Sequence, residues 1–116
     1  MKIVRLQDLS GAHPVPAHHE MKSLDYHGME KEGNFHNILI LSLSQFLPGG
    51  GADRGEIKAD VIYYVLEGEM TVITDDEEQT LRPGDTVRFE KQEVRELVNR
   101  GNMAAKMLVI AGIPSA

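Results

Sequence analysis

Apolar residues in this chain come in short runs broken by glycine, proline and charge, and the pattern alternates more often than it follows a helical period. The residues from Phe35 to Phe46 carry Ile, Leu and Phe on both alternating sets, as a strand buried on two faces does. The run Pro48-Gly49-Gly50-Gly51 is expected to end it. Val61-Ile62-Tyr63-Tyr64-Val65-Leu66 is β-branched and aromatic and closes at Glu67-Gly68-Glu69, a strand followed by a tight turn. Met70 to Thr74 predicts another strand, and Asp75-Asp76-Glu77-Glu78 suits an exposed hairpin tip, because four like charges repel on a packed surface. After the turn Leu81-Arg82-Pro83-Gly84-Asp85 come strands at 86–89, 94–99 and 103–111, of which only 92–98 has a faint helical alternative. Residues 1–34 are less regular, with Pro14 and Pro16 forcing an extended path, and read as an N-terminal arm before a barrel of residues 35–116. Short strands with Gly and Pro corners predict an all-β fold that solves its edge problem by closure, as a barrel or double-sheet roll.

Composition narrows the function classes. The chain has 116 residues, which allows one domain, and a formal net charge of -6, which gives no general attraction to nucleic acid or to an anionic membrane. It has no cysteine, hence no disulfide framework and no thiolate chemistry. The N-terminal residues lack the apolar run of a signal peptide and no segment is apolar enough for a membrane span, so a soluble, cytoplasmic protein is expected.

Pro48-Gly49-Gly50, the strand 61–66 with Glu67-Gly68-Glu69, Leu81-Arg82-Pro83-Gly84-Asp85 and Asn99 together make the chain resemble the cupin superfamily over roughly residues 35 to 111. The resemblance implies a cupin-type double-stranded β-helix, or jelly-roll barrel, with an extended N-terminal arm. It also implies a homodimer, with the arm and the strand 35–46 supplying the contact. In the family two sequence motifs bring histidines and a glutamate around a metal. Counted back from Gly68, the glutamate position here is Val61, and the two histidine positions of the first motif are Gly55 and Ile57 or, with a longer spacer, Arg54 and Glu56. Gly84 opens the second motif, with Glu90 and Gln92 at its proline and glycine, Arg95 at its histidine and Asn99 at its end. Neither Val61 nor Arg95 can donate a lone pair to an ion, so the resemblance keeps the fold signature and loses the ligand set. A register slip of one residue would turn Asp60, Ile62, Tyr64 and Leu66 inward instead.

The leading expectation is therefore a barrel with no metal cofactor that binds a small, anionic metabolite. Arg95 would pair with its carboxylate or phosphate, Tyr63 would offer a phenol, and Glu56, Asp60, Ile57 and Val61 would complete the lining. Against it stands a structural pairing of Arg95 with Glu56, Asp60 or Glu93. All five histidines, His13, His18, His19, His27 and His36, fall in the first third of the chain. In the alternative, the arm folds over the barrel mouth and His18, His19, His27 and His36 hold Mn, Fe, Ni or Zn. Two competing functions remain: an enzyme, either metal-dependent through those histidines or a metal-free isomerase, epimerase or lyase, and a non-catalytic accessory module. Asp85 is expected to cap its turn and Asn99 to lock a bend through backbone bonds. Met21, Met29, Met70, Met103 and Met107 are expected to fill gaps in the core.

Overall fold

A computed structural model describes residues 2–27 and 38–112; His36, Met29 and the start of the strand expected from Phe35 lie outside the described residues. After a short 3-10 turn at Leu6–Asp8 come eight strands: β1 (His18–His27), β2 (Ile38–Glu56), β3 (Asp60–Glu67), β4 (Met70–Ile73), β5 (Glu78–Leu81), β6 (Thr86–Phe89), β7 (Val94–Val98) and β8 (Ala105–Gly112). They form one sheet in the order β5-β4-β7-β2-β8-β3-β6, with β1 added to β2. All the pairings are antiparallel.

The sheet becomes a double layer because β2 changes partners along its length. Residues 38–46 pair with β8, whereas Gly51, Ala52, Gly55 and Glu56 pair with β7. The glycine run therefore bends the strand rather than ending it, which corrects the sequence expectation. The reason is close approach: a Cβ on Gly51 would stand 1.9 Å from the Leu97 carbonyl oxygen, and one on Gly50 would stand 2.4 Å from that of Glu20. No side chain fits there, and glycine is what lets the backbones meet. Asn99, fully buried, clamps the same corner. Its Nδ2 donates to the carbonyls of Phe46 at 3.1 Å and Met103 at 2.9 Å, and its backbone N–H donates to Gly50 O at 2.8 Å.

The register on β3 is the one the alternation predicted. Val61, Tyr63 and Val65 are buried, and Ile62, Tyr64 and Leu66 face out, so the one-residue slip does not occur. Phe46, Met70, Leu97, Met107 and Val65 fill the centre between the layers. Met103, expected in the core, is instead 73% exposed in the turn that Asn99 holds. Asp85 caps its turn by accepting the Arg82 N–H at 2.9 Å. β5 was not legible: Glu78-Gln79-Thr80-Leu81 is a polar edge strand recruited by pairing with β4, with the Thr71 and Thr80 hydroxyls 3.0 Å apart across it.

Candidate functional site

Two features are candidates for the site. The first is a side-chain bridge between the layers of the cup. β7 neighbours β2 and β4, β3 neighbours β8 and β6, and Arg95 Nε on β7 donates to the Tyr63 hydroxyl on β3 at 3.1 Å. Arg95 also reaches the Asp53 carbonyl through Nη1 at 3.5 Å. Its side chain is partly buried, and among the described residues no carboxylate lies within ion-pairing distance of it. The three rim acids expected as structural partners are engaged elsewhere or turned away. Asp60 Oδ1 accepts the Lys91 N–H at 2.8 Å, Glu93 accepts the Glu90 N–H, and Glu56 is exposed at the end of β2. Two of the five guanidinium donors are thus used on neutral oxygens, which leaves a half-buried cation open to an anion.

The second feature is a cleft of about 670 Å³ where the two unpaired sheet edges, β5 and β6, face each other. Val72, Leu81, Val87 and Phe89 give it apolar walls, and Arg88 and Glu93 are among its charged groups. Arg95 and Tyr63 do not line this cleft. Phe89 lines it and also packs against Tyr63, with ring centroids 6.1 Å apart, so one aromatic ring separates the bridge from the cleft. These lining residues were missed from sequence because they sit on four separate elements with no spacing motif; only the inward alternation of 87 and 89 signalled them.

The arm brings one histidine toward Arg95. β1 lies along β2 with His18 opposite Ala52 and His19 opposite Gly51. His18 is half-buried and its Nδ1 donates to the Pro16 carbonyl at 2.8 Å. Burial lowers its pKa below the ordinary imidazole value; the Pro16 carbonyl opposes this, the Arg95 charge lowers it further, Asp53 raises it and His19 lowers it. His19 is exposed and donates through Nδ1 to Asp53 Oδ1 at 3.2 Å. His27 is exposed at the far end of β1, and His13 pairs with Asp25 at 3.0 Å. Among the described residues no three His, Asp or Glu groups gather as metal ligands.

The fold family implies a metal, and the residues at its positions do not fit one. Ile57 and Val61 are buried hydrocarbon, Gly55 has no side chain, and Arg95 is a fixed cation bonded to a phenol; with the longer spacer Arg54 is a second fixed cation and Glu56, exposed at the end of β2, is a single carboxylate donor. Gln92, at the family's glycine position, has φ +81°, the left-handed conformation that glycine adopts without cost. Its N–H donates to Ile57 O at 2.8 Å while Ile57 N–H donates to Glu93 O at 2.9 Å, which pins this loop beside the cup.

Comparison with known proteins agrees with this architecture. Beta-D-galactosidase Rv1717 of Mycobacterium tuberculosis is 33% identical over 116 residues, covering 100% of this chain and 97% of that protein. The polyketide cyclase RemF from Streptomyces resistomycificus superposes with a TM-score of 0.81 at 21% identity, covering 98% of this chain and 80% of that one. A predicted oxalate decarboxylase from Thermotoga maritima superposes at 0.80 with 16% identity, covering 97% and 100%. Such distant structures speak for the fold alone. The profile of the Cupin domain matches residues 44–111, more than half of the chain, and with the bent β2, the buried alternation of β3 and the Asn99 corner it establishes that this chain belongs to the cupin family.

Proposed function

We propose that this cupin binds a small anionic metabolite, a carboxylate or a phosphate, at Arg95 and Tyr63, without a metal. The observation that carries the reading is the pairing state of Arg95: a half-buried guanidinium that bridges the layers to a neutral phenol and faces no carboxylate among the described residues. A planar fork of donors in a partly desolvated site favours an oxyanion. The buried Ile57 and Val61, with Phe89 packed on Tyr63, supply apolar surface on the inner face of the cup. Glu56 and Asp60 lie outside this contact set and serve the rim.

The test is a thermal-shift screen of small carboxylates and sugar phosphates against the wild type and Arg95→Gln, with metal analysis of untagged protein. Stabilisation of the wild type alone is the expected result. Near-stoichiometric Mn, Fe, Ni or Zn, or stabilisation that is equal in both proteins, overturns the proposal. If Arg95→Gln lowers stability by a few kcal/mol and no anion binds, the accessory-module reading takes its place.

The galactosidase name of the 33% identical relative favours a second reading, an enzyme acting on β-galactosides. Glycoside hydrolysis uses two carboxyl groups flanking the scissile bond. Asp75, Asp76, Glu77 and Glu93 line the cleft, and Glu93 lies across it from the β4–β5 turn that carries the other three. Cleavage of a nitrophenyl β-galactoside that is lost in Glu93→Gln and kept in Arg95→Gln would move the function from the bridge to the cleft.

We also infer that two copies pair through the outer face of β2, β8 and β3. Ile62 lies opposite Ile110, which lies opposite Leu41, and Tyr64 opposite Leu108, which lies opposite Leu43. These rows leave Ile62 43% and Tyr64 40% exposed on one sheet face.

A further inference from the structure

His18 deepens the reading of Arg95 as the partner of an anion, and any role for this histidine in binding rests on that reading. Val15-Pro16-Ala17-His18 forms a turn in which His18 N–H donates to Val15 O at 3.1 Å and Ala17 takes φ +61°. Pro at the second position and a left-handed third residue are the pattern of a type II turn, with alanine where glycine is easier. The turn is held because Asp53 N–H donates to Ala17 O at 2.8 Å, while the Asp53 carbonyl accepts from Arg95 Nη1. One residue of β2 thus ties the root of His18 on one side and the guanidinium on the other.

The Nδ1 bond to Pro16 O fixes the tautomer of the neutral ring: the proton sits on Nδ1 and Nε2 keeps its lone pair. Among the described residues nothing bonds Nε2. The charged and titratable groups that act on the ring are Arg95 from β7, Asp53 from β2 and His19 from β1 itself. Burial first, and then the neighbouring guanidinium, lower the pKa of the free ring against the pull of the Pro16 carbonyl and Asp53, which favours the neutral form. An anion set against Arg95 reverses both conditions, since it offsets the guanidinium charge and gives a protonated Nε2 an acceptor.

We propose that the ligand is a compact dianion, of the phosphate monoester or dicarboxylate kind, gripped between Arg95 and His18, with His18 taking up one proton on Nε2 as the ligand binds. The charge count is the reason for the class: one resident cation and one cation created on binding match two negative charges, and the Tyr63 phenol stands beside them. A monoanion would leave His18 neutral and gain from Arg95 alone.

Sulfate is a discriminating probe because its own charge stays at two across the histidine range, so any pH dependence belongs to the protein. Calorimetric titration with sulfate and with malonate, at about pH 5.5 and about pH 7.5, is the experiment. For sulfate the expected association constant rises as pH falls, approaching roughly tenfold per pH unit above the titration point of free His18, with heats that depend on the buffer's ionisation enthalpy, and the two probes are compared at about pH 7.5, where both are dianions. His18→Gln flattens the pH dependence and Arg95→Gln abolishes binding. The NMR titration point of the His18 ring moves upward when sulfate is added, a readout that needs no variant. Binding that requires Arg95 yet is indifferent to pH and unchanged in His18→Gln overturns this inference and leaves the Arg95 reading standing. No Arg95-dependent binding of either probe overturns both. A preference for malonate over sulfate assigns a dicarboxylate, and the reverse a phosphate-like ligand.

Discussion

Arg95 Nε donates to the Tyr63 hydroxyl at 3.1 Å, between strands that share no backbone hydrogen bond. A cation that bonds a neutral phenol across the cup gains no ion-pair energy, so removing it costs little. Arg95→Gln removes two charge-assisted hydrogen bonds to neutral oxygens but also relieves a half-buried cation that lacks a counter-charge, so the unfolding free energy is expected to change by only about 1 kcal/mol. Urea denaturation with unchanged slope measures it. A loss of several kcal/mol would mean that the guanidinium is structural.

His18 sets a pH dependence on the unliganded fold. Burial first, then the Arg95 charge, depress its folded pKa below the value of 6.5 that the unfolded chain would show, against the pull of Pro16 O and Asp53. The unfolded state therefore binds more protons in that range. His18 contributes its full stability above about pH 6.5 and loses it as pH falls through the folded value. Chemical denaturation at about pH 7.5 and about pH 5.5 is expected to show this loss in the wild type and a smaller one in His18→Gln. A wild type that gains stability on acidification contradicts the assignment.

Asn99 carries the bend of β2. Its side chain satisfies the carbonyls of Phe46 and Met103 and accepts the Gly101 N–H at 2.9 Å. Asn99→Ala leaves buried polar groups unpaired and is expected to cost about 2 to 4 kcal/mol. The drop in melting temperature is the measurement, and an effect below about 0.5 kcal/mol would show that another group holds the corner.

Gln92 works against its own backbone. At φ +81° an L side chain is strained, and glycine is not. Gln92→Gly is expected to raise stability by up to about 1 kcal/mol, less the chain entropy glycine adds to the unfolded state. A destabilised variant would show that the glutamine side chain makes a contact worth more than the strain.

The outer apolar rows predict self-association. Sizing by light scattering is expected to give twice the chain mass, and Ile62→Asp with Tyr64→Asp to give the monomer with its melting curve nearly unchanged. A wild-type monomer at high concentration contradicts the dimer.

Much of this was legible in the chain because it rests on local chemistry. Alternation on Val61, Tyr63 and Val65 set which face of β3 is buried, and Asp85 and Asn99 announced the bends they make. What tertiary structure alone decided are the places where a partner overrides local signals. Gly50 and Gly51 read as a terminator until the carbonyls of Glu20 and Leu97 press against them, and Glu78–Leu81 becomes a strand only because β4 offers it an edge. His18 and Arg95 are far apart in sequence and are tied to the same stretch of β2 only in the folded chain, where His18 lies opposite Ala52, Asp53 N–H binds the arm at Ala17 and the Asp53 carbonyl accepts from the guanidinium. Periodicity records how a residue relates to its own neighbours along the strand, whereas the charge state of a buried ring depends on which distant groups the closed barrel sets beside it.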